Sequence, residues 1–257
     1  MDLSRELDVA LALSDRADAA TLPLYERRAF VVDRKADRSE VTEADRGTEA
    51  LLRSAIAVEF PDHGFFGEEA GVSGNTASPW RWIVDPIDGT SNFVRGVPVW
   101  ATLIALTHVD HGPVMGVVSA PALARRWWAG VGLGAFVNGS PIRVSEIDAV
   151  GDAQLCVTYS RGWDDLGLTP RLVSLQQAAY RARGYGDFWQ HVLVAEGAVD
   201  IAIDAIGVQP YDLAAVQVVV EQAGGTFTDR FGERTFEHDS AVSTNGLLHA
   251  EVIRHIA

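Results

Sequence analysis

The sequence Trp82-Ile83-Val84-Asp85-Pro86-Ile87-Asp88-Gly89-Thr90-Ser91-Asn92-Phe93 decides how the rest of the chain can be interpreted. Its first three residues are apolar and predict a short buried strand that ends at Asp85. Pro86 cannot donate a ladder hydrogen bond, so we expect it to turn the chain out of the sheet. Asp88 follows in the same tight bend, where both carboxylates can face one point. With the carbonyl oxygen of Ile87 they form an all-oxygen cluster that suits Mg²⁺.

Gly89 and Thr90 predict the first turn of a helix directly after this bend. The free N–H groups of such a turn would face an anion placed beside the metal. A metal site and a phosphate cradle in one bend indicate phosphoester chemistry. The same short pattern also occurs in ordinary turns, where Asp caps the chain and Gly permits a positive φ, so the bend alone leaves a structural role open.

The full string resembles the D-P-I-D-G-T-x-N-F motif of the inositol monophosphatase superfamily. This resemblance implies a Mg²⁺-dependent, often lithium-sensitive phosphomonoesterase, with Mn²⁺ as a possible substitute. It extends over nearly the whole chain, from Lys35 to Asn245. It implies an α+β fold, a layered α/β/α/β/α sandwich, and a homodimer.

Composition and charge limit the partners of the chain. The 257 residues suffice for one large domain or two tightly joined halves, and 47% of them are apolar. Lys and Arg number 21 against 35 Asp and Glu, a formal net charge of −14, which argues against a nucleic-acid surface. The same balance would repel a phosphorylated substrate unless a cation bridges it.

Cysteine content and hydropathy bear on the compartment. The single Cys156 excludes an internal disulfide and favours a reducing cytoplasm. No apolar run reaches the length of a membrane span, and the N-terminus lacks the pattern of a secretion signal. The sequence therefore predicts a cytoplasmic protein without a membrane partner.

Two further acidic positions lie upstream of the bend. Thr42 and Asp45 fit a capping box for a helix over roughly 42–58. The resemblance adds that Asp45 helps to bind a further Mg²⁺, mostly through water, and that Lys35 lies near the metals. The sequence Gly64–Glu69 predicts a strand that ends in paired acids, which is also typical of a solvated edge. By resemblance, Glu68 is a metal ligand and Glu69 lies farther out.

Asp212 is the remaining acidic candidate. From the sequence alone, its side chain could simply stabilise the N-terminus of a helix over 212–223. The resemblance makes it a metal ligand within a W-D-x-A motif, although Tyr211 replaces the usual Trp. We also expect two halves: residues 1–150, an α+β unit with most metal ligands, and residues 151–257, an α/β unit with Asp212 and the substrate rim.

Several segments resemble actinobacterial-type histidinol-phosphate phosphatases: Asn92–Ala101, Ser119–Leu123, Arg126–Ala129, Tyr185–Phe188 and Leu193–Asp200. This resemblance implies hydrolysis of L-histidinol phosphate in histidine biosynthesis. Ala205 stands where that branch tends to carry a substrate-facing Glu, and Asp204 lies beside it. Asp187 is either the N-cap of a helix that begins near Phe188 or an acceptor for substrate N–H groups.

The resemblance also implies how the residues share the reaction. One Mg²⁺ would activate a water, and a second would stabilise the leaving oxygen. Thr90 would orient that water, while Gly89, Thr90 and Ser91 would hold the phosphate. The implied residues are, for catalysis, Glu68, Thr90 and Asp45; for the metals, Glu68, Asp85, Ile87, Asp88 and Asp212; and for the substrate, Gly89, Thr90, Ser91, Asp187 and Asp204.

Other functions remain open at this point. The same superfamily includes inositol-1-monophosphatases and phosphatases of nucleotides or sugars. A nucleotide phosphatase should need more basic residues around a second phosphate, and the net charge of −14 argues against such a basic site. A non-catalytic phosphate-binding module would predict a damaged ligand set, and the sequence shows no such damage.

Overall fold

The computed structural model describes residues 2–35 and 39–256. The α-helices in this part of the chain are α1 (Ser4–Arg27), α2 (Glu43–Glu59), α3 (Thr90–Arg95), α4 (Gly162–Asp165), α5 (Thr169–Ala178), α6 (Asp187–Ala195), α7 (Pro210–Gln222) and α8 (His249–Ile256). The strands are β1 (Val32–Arg34), β2 (Glu40–Thr42), β3 (Gly64–Gly67), β4 (Gly71–Gly74), β5 (Trp80–Asp88), β6 (Ala101–His108), β7 (Gly112–Ala120), β8 (Arg125–Gly130), β9 (Gly134–Val137), β10 (Ser140–Ile142), β11 (Gln154–Thr158), β12 (Arg181–Arg183), β13 (Ile201–Asp204), β14 (Thr226–Thr228) and β15 (Ala241–Thr244). None of these helices combines the length and apolar character needed to cross a membrane.

The larger sheet has eight strands in the order β10-β9-β8-β7-β6-β5-β3-β4. Its pairs are antiparallel except β3 with β5. The run from β5 to β10 is an antiparallel meander, with Asn138 and Gly139 in its last hairpin turn at positive φ. A second, five-stranded sheet has the order β12-β11-β13-β15-β14, and β11 is parallel to both of its neighbours.

Apolar faces determine how these elements stack. Helices α1 and α2 pack on one face of the larger sheet through a core that includes Leu7, Leu52 and Trp82. Helices α6 and α7 lie between the two sheets, and their core includes Phe188 and Val216. Helices α5 and α8 cover the outer face of the smaller sheet. This is the α/β/α/β/α sandwich implied by the resemblance; the division into residues 1–150 and 151–257 stays a prediction.

The path of β5 corrects one expectation. Pro86 does not end the strand, because β5 continues to Asp88. Asp85 pairs with Leu103 and Asp88 with Ala101, so one extra residue on β5 forms a bulge between them. A bulge tolerates a residue without an N–H donor, which is why proline is accepted here. The bulge also re-aims the two Asp side chains at the end of the strand.

Candidate metal centre

Three carboxylates meet where β5 ends and α7 begins. Asp85, Asp88 and Asp212 each offer an oxygen, and these oxygens all lie within 4.8 Å of one another. The bulge on β5 supplies the first two. The third is held by a capping box at the start of α7, in which the backbone N–H of Gln209 donates to Asp212 Oδ2 at 2.7 Å. Asp212 therefore has the helix-stabilising role and also belongs to the cluster.

The three carboxylates of the cluster are largely buried and close together, which raises their pKa values. Burial, reinforced by neighbouring carboxylates, raises the pKa of Asp85 and of Asp88 well above the ordinary value. Burial likewise raises the pKa of Asp212 to about 7. Within the described residues, no Lys or Arg forms a salt bridge with any of the three. Such a cluster can bind a divalent metal ion, whose charge compensates theirs.

Glu68 follows β3 beside this cluster but is not one of the three residues whose oxygens lie within 4.8 Å of one another. Its Oε1 accepts a hydrogen bond from Lys35 Nζ at 2.8 Å, and Lys35 also donates to Glu69 Oε1 at 2.7 Å. These bonds outweigh the effect of burial and raise the pKa of Lys35. Lys35 thus lies next to the acidic centre, as the resemblance implies.

Glu49 is a residue that our sequence analysis missed. From α2 its two oxygens accept hydrogen bonds from the backbone N–H groups of Glu69 and Ala70, each at 2.7 Å. A Cβ at Gly67 would lie only 2.4 Å from Glu49 Oε2, so glycine is needed for this close approach. Glu49 therefore fixes the turn that carries Glu68. Its position four residues after Asp45 places both side chains on one helix face, which could have signalled the contact.

Thr90, Asp45 and the Ile87 carbonyl meet on one side of the bend. Thr90 Oγ1 lies 3.1 Å from Asp45 Oδ1 and 3.0 Å from the Ile87 carbonyl oxygen. The capping box predicted for α2 is present, because the N–H and hydroxyl of Thr42 both donate to Asp45 Oδ2, at 2.7 and 2.6 Å. Asp45 is completely buried, and burial raises its pKa. Capping and contact with the bend are thus combined in one carboxylate.

The helix expected after the bend is α3. Gly89 is its N-cap at φ 82°, a conformation that favours glycine, and Thr90 and Ser91 are its first residues. The first N–H groups of a helix have no partner inside it. The backbone of Gly89, Thr90 and Ser91 is therefore placed beside the three carboxylates with donors to offer.

The structure excludes one of the two roles that the sequence leaves open for Asp187. It is not the N-cap of α6, which is Gly186, but the first residue of that helix, at φ 48°. Its Oδ2 accepts a 2.8 Å hydrogen bond from Asn92 Nδ2. Burial and the charge of Asp204 raise the pKa of Asp187 to about 6. The side chain is therefore turned toward the bend rather than toward its own helix.

A cavity of about 200 Å³ joins this carboxylate to the metal cluster. Its walls include Asp88 and Asp212 on one side and Asp187, Asp204 and His191 on the other. Asp204 ends β13, at the carboxyl edge of the smaller sheet. His191 was not predicted, because a histidine within an apolar helix gives no signal of its own.

Two other features lie outside this centre. A larger cavity, of about 780 Å³, is lined by Arg81 at the start of β5 and by Phe236, and none of the predicted site residues borders it. Asp229, Glu233 and His238 also bring ligand atoms together. Asp229 is already engaged by backbone N–H groups and by His238 Nδ1 at 2.9 Å, so this cluster stabilises its own loop.

Comparison with known proteins identifies the family. A model of the inositol monophosphatase family matches residues 2–257. The chain belongs to the inositol monophosphatase family. It is 47% identical to a histidinol-phosphatase of Mycobacterium tuberculosis, covering 98% of this chain and 97% of that protein. It is 41% identical to a histidinol-phosphatase of Streptomyces coelicolor, covering 99% and 98% of the two chains.

The structural comparison agrees. The extragenic suppressor protein suhB from Bartonella henselae has a TM-score of 0.91 at 27% identity, with 98% of each chain covered. The family and both relatives confirm the resemblance inferred from the 82–93 sequence and support a phosphoric monoester hydrolase. The family is metal-dependent, which agrees with the three-carboxylate cluster.

Proposed function

We propose that the protein is a Mg²⁺-dependent phosphomonoesterase that hydrolyses L-histidinol phosphate to L-histidinol and phosphate. The observation that carries this proposal is the convergence of Asp85, Asp88 and Asp212 within 4.8 Å, beside a cavity with two further carboxylates. The names of the two relatives support the choice of substrate.

The donor set fits magnesium. The residues proposed to hold the ions present only carboxylate or carbonyl oxygens, the ligands that Mg²⁺ and Mn²⁺ prefer. They are Glu68, Asp85, Ile87, Asp88 and Asp212. Lys35 now engages Glu68, so this carboxylate would exchange or share that partner when an ion is bound. When bound, Mg²⁺ makes water a stronger nucleophile and compensates charge on the phosphoryl and leaving oxygens.

Thr90 and Asp45 are proposed to hold the attacking water. The Thr90 hydroxyl can donate its proton to Asp45 Oδ1, 3.1 Å away, which leaves an oxygen lone pair to accept a hydrogen bond from water. The capping box fixes Asp45 in turn, so the pair is preorganised before substrate arrives. Orientation of this kind lowers the entropic part of the barrier.

The start of α3 is proposed to hold the phosphate. The backbone N–H groups of Gly89, Thr90 and Ser91 would donate to its non-bridging oxygens and keep the phosphorus in line with the water. Because they belong to the backbone next to the bulge, their positions are fixed relative to Asp85 and Asp88. No nucleophilic side chain is required for this reaction.

The leaving group is proposed to occupy the 200 Å³ cavity. L-Histidinol carries an ammonium group and an imidazole, and the cavity offers the carboxylates of Asp187 and Asp204 as acceptors. A neutral polyol such as inositol would gain less from these two charges. Ala205 is buried and its carbonyl accepts a hydrogen bond from Arg230, so we propose that the neighbouring Asp204 takes the role of the substrate-facing acid.

A phosphate-release assay tests this function. It would compare histidinol phosphate, myo-inositol 1-phosphate, sugar phosphates and nucleotides, each with Mg²⁺ and after exhaustive chelation. We expect the highest kcat/KM for histidinol phosphate and no turnover without metal. A preference for inositol or nucleotide phosphates would reject the substrate, while full activity after chelation would reject the metal.

The proposal also includes a cytoplasmic homodimer. The family resemblance supports the homodimer. The single cysteine, Cys156, is buried and forms no disulfide, which agrees with a reducing cytoplasm. Light scattering of the purified protein would measure its mass in solution. A monomer with full activity would reject the dimer without affecting the proposed reaction.

A further inference from the structure

Asp204 borders the cavity and is held in place by two side chains of α6. Its Oδ2 accepts a hydrogen bond from Gln190 Nε2 at 2.7 Å and another from His191 Nε2 at 2.8 Å. Its Oδ1 accepts none from the residues that the structure describes. One oxygen is therefore fixed by α6, and Oδ1 is left to interact with a ligand in the cavity that Asp204 borders.

His191 is itself anchored on its second nitrogen. Its Nδ1 lies 2.7 Å from Ser243 Oγ, on β15, and the residue is 1% exposed. Both ring nitrogens are therefore engaged, Nε2 with the Asp204 carboxylate and Nδ1 with the Ser243 hydroxyl. The chain of contacts from Ser243 through His191 to Asp204 leaves the imidazole no freedom to rotate.

Ser243, His191 and Asp204 do not form a catalytic triad with a serine nucleophile, although the residue types are the same. Ser243 is completely buried, so its hydroxyl cannot reach a phosphorus atom. The acid, rather than the serine, borders the cavity. We therefore infer that these three residues serve substrate recognition through Asp204 and not nucleophilic attack by Ser243.

We propose that His191 is a positioning residue that makes this site select phosphomonoesters with a cationic leaving alcohol. It fixes Asp204 so that Oδ1 accepts a hydrogen bond from an ammonium or imidazole N–H of the substrate. This inference depends on the proposed function, since it places the leaving group in the cavity. A carboxylate that is already oriented loses less conformational freedom when the cation binds.

The test compares two substrates in two variants. His191→Phe keeps an aromatic ring but loses both hydrogen bonds. Ser243→Ala keeps the histidine and removes only its hydrogen bond to the Ser243 hydroxyl. We expect His191→Phe to lower kcat/KM for histidinol phosphate by about 10- to 100-fold, mainly through KM. For myo-inositol 1-phosphate the loss should stay within about threefold. Ser243→Ala should change the ratio in the same direction by a smaller factor.

His249→Phe is the matched control. Both ring nitrogens of that histidine are likewise engaged, by Thr228 Oγ1 at 2.9 Å and Thr244 Oγ1 at 3.1 Å, but it does not border the cavity. It should leave the substrate ratio unchanged. If His191→Phe does not fold, as judged by its thermal melt, the ratio measured for Ser243→Ala decides.

The outcomes separate this inference from the proposed function. A wild-type protein without a preference for histidinol phosphate overturns the proposed substrate. A wild-type preference that survives unchanged in folded His191→Phe, or equal losses on both substrates, overturns only the role of His191. A selective loss on histidinol phosphate in both variants supports it.

Discussion

Asp88 Oδ2 accepts a 2.7 Å hydrogen bond from the backbone N–H of Phe188, one hundred residues further along the chain. Phe188 is the second residue of α6, whose N-cap, Gly186, has no side chain with which to satisfy that donor. Asp88 thus caps a helix that also carries Asp187 and His191. The metal bend and the wall of the leaving-group cavity are therefore positioned by the same carboxylate.

This contact sharpens what Asp88→Asn should do. The Asn carbonyl can still accept from Phe188, so we expect the melting temperature to stay within a few degrees of wild type. The charge offered to the metal is lost, which should lower kcat/KM on the order of 10³-fold or more. Asp110→Asn, on an exposed turn, is the control and should remain fully active. Near wild-type turnover by Asp88→Asn would show that the bend is only structural.

Metal binding should be visible in stability as well as in rate. The crowded carboxylates repel one another without a cation, so saturating Mg²⁺ at about 100 times its Kd should add about 2.7 kcal/mol, roughly 5–10 °C in melting temperature. Asp212→Asn removes one of the three charges, so its metal-free form should melt above the metal-free wild type. Its Mg²⁺-dependent increment should shrink. An unchanged increment would exclude Asp212 as a ligand.

Asp45 combines capping with catalysis, and a second variant can separate the two. Thr42→Ala removes the cap on Ala44 and should cost about 1 kcal/mol of stability. Asp45→Ala should destabilise similarly but also lower kcat by roughly 10- to 100-fold, because Thr90 loses its carboxylate acceptor and keeps only the Ile87 carbonyl. This loss should be smaller than that of Asp88→Asn. Equal kcat in the two variants, measured at saturating Mg²⁺, would reduce Asp45 to a cap.

Glu49→Gln tests whether the turn after β3 must be held. Glutamine keeps one acceptor oxygen but turns an NH₂ group toward one of the two backbone donors it now serves. We expect the Mg²⁺ concentration for half-maximal activity to rise roughly 10- to 100-fold, since Glu68 is no longer fixed. Glu59→Gln, at the end of the same helix, is the control. A loss of stability without a change in Mg²⁺ dependence would argue against a positioning role.

The features of the fold and the site that the sequence predicts are mainly those encoded by residues close together in the chain. The capping box at Thr42 and Asp45 and the helix after Gly89 are short-range patterns, and the structure contains both. The layered sandwich and the family came from a long motif, which the comparisons confirm. The site roles carried over by resemblance stay predictions, although the structure brings Asp85, Asp88 and Asp212 together.

The misses are long-range contacts that override local rules. Pro86 was expected to end the strand. Pairing with β6 instead continues through a bulge, because the extra residue leaves a position in the ladder where no N–H donor is needed. The N-cap role that the sequence left open for Asp187 is excluded by contacts with the other half of the chain: Asn92 Nδ2 donates to Asp187, and Asp88 accepts from the N–H of Phe188. Glu49 and His191 were missed for the same reason: their partners are distant in sequence.

Asp187 decides between two views of the substrate site. Its left-handed backbone at φ 48° is one that Asn also tolerates, so Asp187→Asn should fold without added strain. The Asn side-chain oxygen can still accept from Asn92, and only the negative charge at the cavity is lost. The substitution is therefore a clean test of charge recognition.

We expect Asp187→Asn to lower kcat/KM for histidinol phosphate by about 10- to 150-fold, because a charge-assisted hydrogen bond contributes roughly 1.5–3 kcal/mol. The loss for myo-inositol 1-phosphate should be much smaller, since a neutral polyol does not need the charge. Steady-state kinetics on both substrates measure the ratio, and Asp164→Asn, away from the cavity, serves as the control. Equal losses on both substrates would mean that Asp187 supports the bend through Asn92 and does not recognise the leaving group.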